Sequence, residues 1–169
     1  MVNHDTLLIC SHFRENRQEL RRVFSDTFNL LESGDIRQLI LLLNQNLSCI
    51  AAVLLDISGW DSRDVQWLRR PEHTGLLQKV PVIVLSETDS PEILNRAFGL
   101  GAADVIPFGY DPYAMLHRVQ NIIDLHLHKQ HLETLVDEQK RLLRHTSDTL
   151  VDALSSIIEY RSVESGQHI

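Results

Sequence analysis

The chain has 169 residues, 43% of them hydrophobic, and carries 16 lysines and arginines against 23 aspartates and glutamates, a formal net charge of −7. That length suits one ordinary globular domain, or one domain with an extension, and the apolar content fits a packed core. The acidic balance excludes a general electrostatic pull toward nucleic acid or anionic membranes, and runs such as Leu39 to Leu43 fall far short of the roughly 20 residues of a membrane span.

The N-terminus has neither the basic region nor the apolar core of a cleavable signal. Cys10 and Cys49 sit in or beside apolar runs and read as reduced residues of a cytoplasmic protein. "TLLIC", Thr6 to Cys10, is a short apolar strand. "RENRQELRRVFSDTF" follows as a helix, with Leu20, Val23, Phe24 and Phe28 at helical spacing. "FNLLES" is a second strand, and after Gly34 "DIRQLILLLNQN" is a helix capped by Asp35. "IAAVLLD" is a third strand, ending in Asp56, a carboxylate placed where burial is costly. "DSRDVQWLRR" starts a helix that Pro71 breaks. "VPVIVLS" is the fourth strand, "DSPEILNRAFGLG" a helix with proline in its first turn, and "ADVIPF" a short fifth strand. "DPYAMLHRVQNIIDLHLH" opens a long helix with no break until Gly166.

Five βα repeats predict an α/β fold, a five-stranded doubly wound parallel sheet with a long projecting C-terminal helix. In such folds the functional crevice lies at the carboxyl ends of the strands, where strand order reverses. Asp56, Ser11, His12 and Ser86 all fall at such ends. In the long helix, Leu125, His128, Leu132, Leu135, Gln139, Leu142, Thr146 and Thr149 follow a heptad track and predict an imperfect coiled-coil seam and a homodimer. Trp60 and Trp67 are expected to pack in the core. Gly-rich phosphate loops, nucleophile elbows and Cys/His zinc spacings are missing.

Residues 6–126 resemble the receiver domain of two-component response regulators, through "LLDISG", "PVIVLSE" and "GAADVIPFGYDP". The resemblance implies a flavodoxin-like sheet of order 2-1-3-4-5, with Asp56 at the phosphoacceptor position. It implies a phosphoryl-supporting role for Ser86, with Glu87 beside it, and it matches Pro112 at the start of the last helix. Where the family carries two Mg²⁺-binding acids, this chain has Ser11 and His12. Where it carries a lysine followed by a cis-proline, this chain has Phe108 and Gly109, and Val105 replaces the family's aromatic switch residue. Phosphoryl transfer concentrates negative charge on oxygens and needs positioned cations. With those groups gone, Mg²⁺ binding is expected to be weak at best and phosphorylation of Asp56 absent or weak. His12 is expected to be a lone imidazole filling the degenerate pocket.

The last stretch, "EYRSVESGQHI", resembles the opening of an HD-GYP domain, the metal-dependent phosphodiesterase family that hydrolyses cyclic di-GMP. There Glu164 and His168, four residues apart on one helical face, match metal ligands, but only in a complete domain with its di-metal centre. The expected organisation is a receiver-like domain at 1–126, a helical linker at 127–150 and a truncated HD-GYP start at 151–169. Such a chain holds no catalytic residues or cofactor of its own. It is expected to regulate an attached phosphodiesterase by dimerisation and interaction, without nucleic acid or membrane. Two alternatives are a true phosphoacceptor served by a histidine kinase and a small-ligand sensor.

Overall fold

The computed structural model describes residues 4–88 and 90–166. The chain divides into two units, residues 1–126 and 127–169. In the first, a parallel sheet is built from β1 (Thr6–Cys10), β2 (Asn29–Ser33), β3 (Ile50–Asp56), β4 (Val82–Ser86) and β5 (Asp104–Pro107), in the order β2-β1-β3-β4-β5. The helices are α1 (Arg14–Phe24), α2 (Ile36–Asn46), α3 (Ser62–Leu68), α4 (Pro71–Leu77), α5 (Pro91–Gly99) and α6 (Pro112–Gly166). The order anticipated from the repeats and the resemblance is the order found.

β1, β3 and β4 are buried at every residue. A strand flanked by two neighbours and covered on both faces needs an apolar side chain on each, and an unbroken aliphatic run supplies it. β2 is an edge strand with a mixed pattern, and only Ser33 is buried. On one face Leu8, Cys10, Val53 and Leu55 pack with Ile36, Leu39 and Leu43 of α2, and Leu68 and Leu77 complete the cluster. Their neighbours along the strands, Leu7, Ile9, Ala52 and Leu54, turn to the opposite face. The buried residues of α1 are Leu20 and Phe24, and those of α6 are Met115, Val119 and Ile123.

Local chemistry sets the helix starts. Asp35 caps α2 by accepting from the Gln38 backbone at 2.8 Å. Asp61 caps α3 in a reciprocal box with Asp64, and hydrogen bonding from Arg63 holds the Asp61 carboxyl below its usual range. The segment after Pro71 departs from expectation. The proline ends α3 as anticipated, but it also sits at the first position of a second short helix, α4, where its missing N–H costs nothing. His73, buried in α4, bonds the Trp67 carbonyl through Nδ1 at 2.8 Å and stacks on the Trp67 ring, so the two short helices act as one cover. Trp60 and Trp67 both pack against the main core cluster, as anticipated. Arg118 of α6 grips Asp104 of β5 through Nε and Nη2, joining the last strand to the helix that follows it.

In the second unit, residues 128–166 are helical and exposed. No helix among the described residues is long and apolar enough to cross a membrane.

Cys10 ends β1 within the core. Burial pushes its thiol from its ordinary 9.0 up to about 11; Ser33 opposes the shift, while Asp35 and Asp56 add to it. A pKa raised on folding gives stability that is complete below the unfolded value and lost as pH rises toward the folded one. The free energy of urea unfolding should therefore fall between pH 9.0 and about 11. The part of that fall due to Cys10, roughly 3 kcal/mol, should be missing in Cys10→Ala.

Candidate functional site

Strand order reverses between β1 and β3: β2 lies outside β1, while β4 and β5 continue on the far side of β3. The carboxyl ends of β1 and β3 are therefore neighbours, with Cys10 paired to Leu55. One residue further along each strand stand Ser11 and Asp56, both with 0% exposure.

Asp56 is held by three donors from three segments. Ser11 Oγ donates to Oδ2 at 2.6 Å. Asn16 Nδ2, from the first turn of α1, donates to the same oxygen at 2.8 Å. The Ser58 backbone N–H, in the loop after β3, donates to Oδ1 at 2.9 Å. All three donors are neutral, so hydrogen bonds alone compensate the buried carboxylate. Ser11 Oγ also accepts from the Phe13 backbone at 3.1 Å, which folds the β1–α1 loop back over the strand end.

That loop closes the crevice. Gly59 adopts φ +74°, and a Cβ added there would meet the Phe13 ring at 3.1 Å, so ring and glycine are in direct contact. Arg17 of α1 donates to the Ser11 carbonyl, and its Nε lies 3.9 Å from Glu32 Oε2 on β2. The cation nearest the loop is thus spent tying backbone to the edge strand.

The other anticipated positions are dispersed. Ser86 ends β4, buried, and its Oγ accepts from the Thr88 backbone at 3.3 Å. Among the described residues it makes no hydrogen bond to Asp56. Glu87 is exposed. Phe108 is half-buried, and its N–H donates to the Ser86 carbonyl at 2.8 Å, extending the sheet by one bond where a charged side chain was expected to be lacking. Gly109 has φ +78°, a conformation closed to proline, so the turn into α6 differs in its backbone as well as its side chains. Val105 is a buried core residue beside Val84 and Ala97. Pro112 opens α6, and Asp111 accepts from the Ala114 backbone at 2.9 Å.

His12 corrects an expectation. It does not fill the Asp56 pocket: its side chain is exposed and lines a separate cleft with Arg37, Asp61 and Trp67. The reason is alternation at the strand end, which turns Ser11 inward and its successor outward. Glu164 is exposed on α6, and His168 lies outside the described residues. Among the described residues no three His, Cys, Asp or Glu side chains gather as a metal site.

Four participants escaped the sequence reading: Phe13, Asn16, Arg17 and Ser58. Asn16 carried one usable signal, its place on the first turn of the helix that starts at the crevice. The donors on Oδ2 point hydrogens where a cation would need the lone pairs, and they come from a hydroxyl and an amide. Mg²⁺ calls for hard anionic oxygens in an octahedral shell, and these residues do not fit it.

The fold matches known structures. A response regulator from Thermotoga maritima superposes with a TM-score of 0.60 at 20% identity, covering 71% of this chain and 98% of that one. A CheY-like response regulator receiver domain protein from Methanospirillum hungatei gives a TM-score of 0.62 at 13% identity, covering 74% and 98%. This is the receiver fold. No family model matches the chain. A Vibrio cholerae protein named "Probable cyclic di-GMP phosphodiesterase" is 28% identical over 131 residues, 71% of this chain. The match spans 29% of that relative's length.

The neutral cage fixes the sign of one measurement. In a receiver pocket crowded with acids, removing the central carboxylate relieves like-charge repulsion. Here Asp56→Ala leaves three donors without their acceptor, and a loss of about 2–4 kcal/mol in urea unfolding is expected from orphaned buried groups. A variant as stable as the parent would contradict the cage.

Proposed function

We propose that residues 1–126 are a receiver-type regulatory module that works through association rather than through phosphoryl transfer. The observation that carries this reading is the closed state of Asp56, fully buried and bonded by Ser11, Asn16 and Ser58. A carboxylate that attacks a phosphorus atom must present an oxygen to the incoming group, and the product must be balanced by cations. Here Oδ2 is shared by two donors, and among the described residues Asp56 has no acidic side chain as a partner. Phe108 and Gly109 supply no charge toward the acyl phosphate that would form. Binding of Mg²⁺ in this pocket is accordingly weak.

The output follows from the relative. Its name describes hydrolysis of cyclic di-GMP, and most of its length lies outside the match. We assign the module the control of such a phosphodiesterase, joined through α6. Within that complete domain, Glu164 and His168, four residues apart in the sequence, would be metal ligands. The communicating state is a homodimer formed through residues 127–166, whose exposed aliphatic side chains include Leu132, Leu143 and Leu150. An apolar face of this extent is stabilised by a partner that removes it from water.

Three measurements test the reading. Incubation with Mg²⁺ and acetyl phosphate should give no phosphoryl mass gain, and Mg²⁺ with beryllium fluoride should leave the melting temperature unchanged. A stoichiometric mass gain that disappears in Asp56→Asn would overturn it in favour of a working phosphoacceptor. Sedimentation of the full chain should show a dimer.

A further inference from the structure

We infer that residues 132–160 of α6 pair with the same residues of a second copy as a parallel, in-register, two-stranded coiled coil. This rests on the dimer reading above and adds its orientation, its register and the residue that sets them.

A strict heptad runs along the exposed surface. Val136, Leu143, Leu150 and Ile157 recur every seven residues, and their exposures are 47, 69, 60 and 58%. Leu132, Gln139, Thr146, Ala153 and Tyr160 fall on the alternate positions, so the two tracks step by four and three throughout. At 1.5 Å per residue this stripe extends along roughly 42 Å of helix. It shares Leu132, Gln139 and Thr146 with the seam anticipated from sequence. It replaces Leu135, Leu142 and Thr149 on the other track with four aliphatic residues at regular spacing, two β-branched and two leucine.

The asymmetry between the tracks decides the geometry. One track is wholly aliphatic. The other holds two polar residues, but Thr146 donates to the Leu142 carbonyl of its own helix at 3.0 Å and offers its methyl group to the seam. That leaves Gln139, which makes no side-chain hydrogen bond among the described residues. In a parallel, in-register pair each track meets itself, so Gln139 faces Gln139 and the two amides satisfy each other. In an antiparallel pair each track meets the other, so Gln139 would be set against an aliphatic side chain and lose its water without compensation. A parallel pair slipped by one heptad sets it against Leu132 or Thr146. Only the in-register parallel arrangement gives Gln139 a complementary partner.

The flanks agree. The interhelical neighbours in that arrangement are Leu135 with Lys140, Leu142 with Ser147, Thr149 with Leu154, and Ser156 with Arg161. None sets like charges together, and the aliphatic stem of Lys140 can cover Leu135 while its ammonium stays in water.

The test uses the full chain with Cys49→Ser, so that the half-exposed native thiol cannot interfere. Val136→Cys and Tyr160→Cys, one on each track and so opposed to one another only in an antiparallel pair, are prepared separately, oxidised mildly, and scored for covalent dimers alongside sedimentation. The expected result is a dimer by sedimentation and efficient disulfide formation in each variant alone. A one-to-one mixture should add no cross-product beyond the random share expected at a single position. Covalent dimers that form only in the mixture, or a dimer that crosslinks in neither sample, would overturn the parallel register while leaving dimerisation in place. A monomer by sedimentation would overturn both. Gln139→Leu should raise the thermal midpoint of association and lose the single oligomeric state; retention of one in-register dimer would show that Gln139 does not set the register.

Discussion

The structure turns on one buried anion. Asp56 sits at the junction of three separate pieces of chain, and its carboxylate is the acceptor on which Ser11, Asn16 and Ser58 all converge. A buried charge is tolerated when donors surround it, and here they come from the β1–α1 loop, α1 and the β3–α3 loop. The bond network is thus also a mechanical joint. It holds the start of α1 against the end of β3 and folds Phe13 across Gly59. The carboxylate at the end of β3 is thus a structural tie between three segments.

That tie depends on topology. Parallel strands bring every carboxyl end to one side of the sheet, and the reversal between β1 and β3 opens a gap in the helical cover there. The aliphatic strands hold the backbone rigid behind it, so small changes in side chain at the rim change the chemistry without disturbing the frame. Ser86 and Phe108 illustrate this. Both keep their places at the ends of β4 and β5, and the bond between them runs through backbone atoms only.

Much of this was legible in the sequence because it depends on periodicity. Five aliphatic runs separated by amphipathic helices leave few arrangements open, and the resemblance carried by "LLDISG" and "PVIVLSE" selected the strand order. The position of Asp56 and Ser86 at strand ends followed directly. What could not be read was which neutral group would take over a vacated role. Asn16 lies five residues from Ser11, and its one mark is its place on the first turn of α1; the helix geometry aims its amide at Oδ2. His12 was misplaced for a related reason, since neighbouring residues at a strand end face opposite ways. The helix after Pro71 was missed because one residue both ends α3 and starts α4.

Gly109 sets a condition on any redesign of this rim. Its φ of +78° puts the β5–α6 turn in a region that proline cannot enter. Charged side chains placed at Ser11, His12 and Phe108 would change the electrostatics of the rim on the existing backbone, whereas a proline at 109 would require the turn itself to take another path. The rim is adjustable in charge and fixed in backbone, and a design that needs both must rebuild the loop.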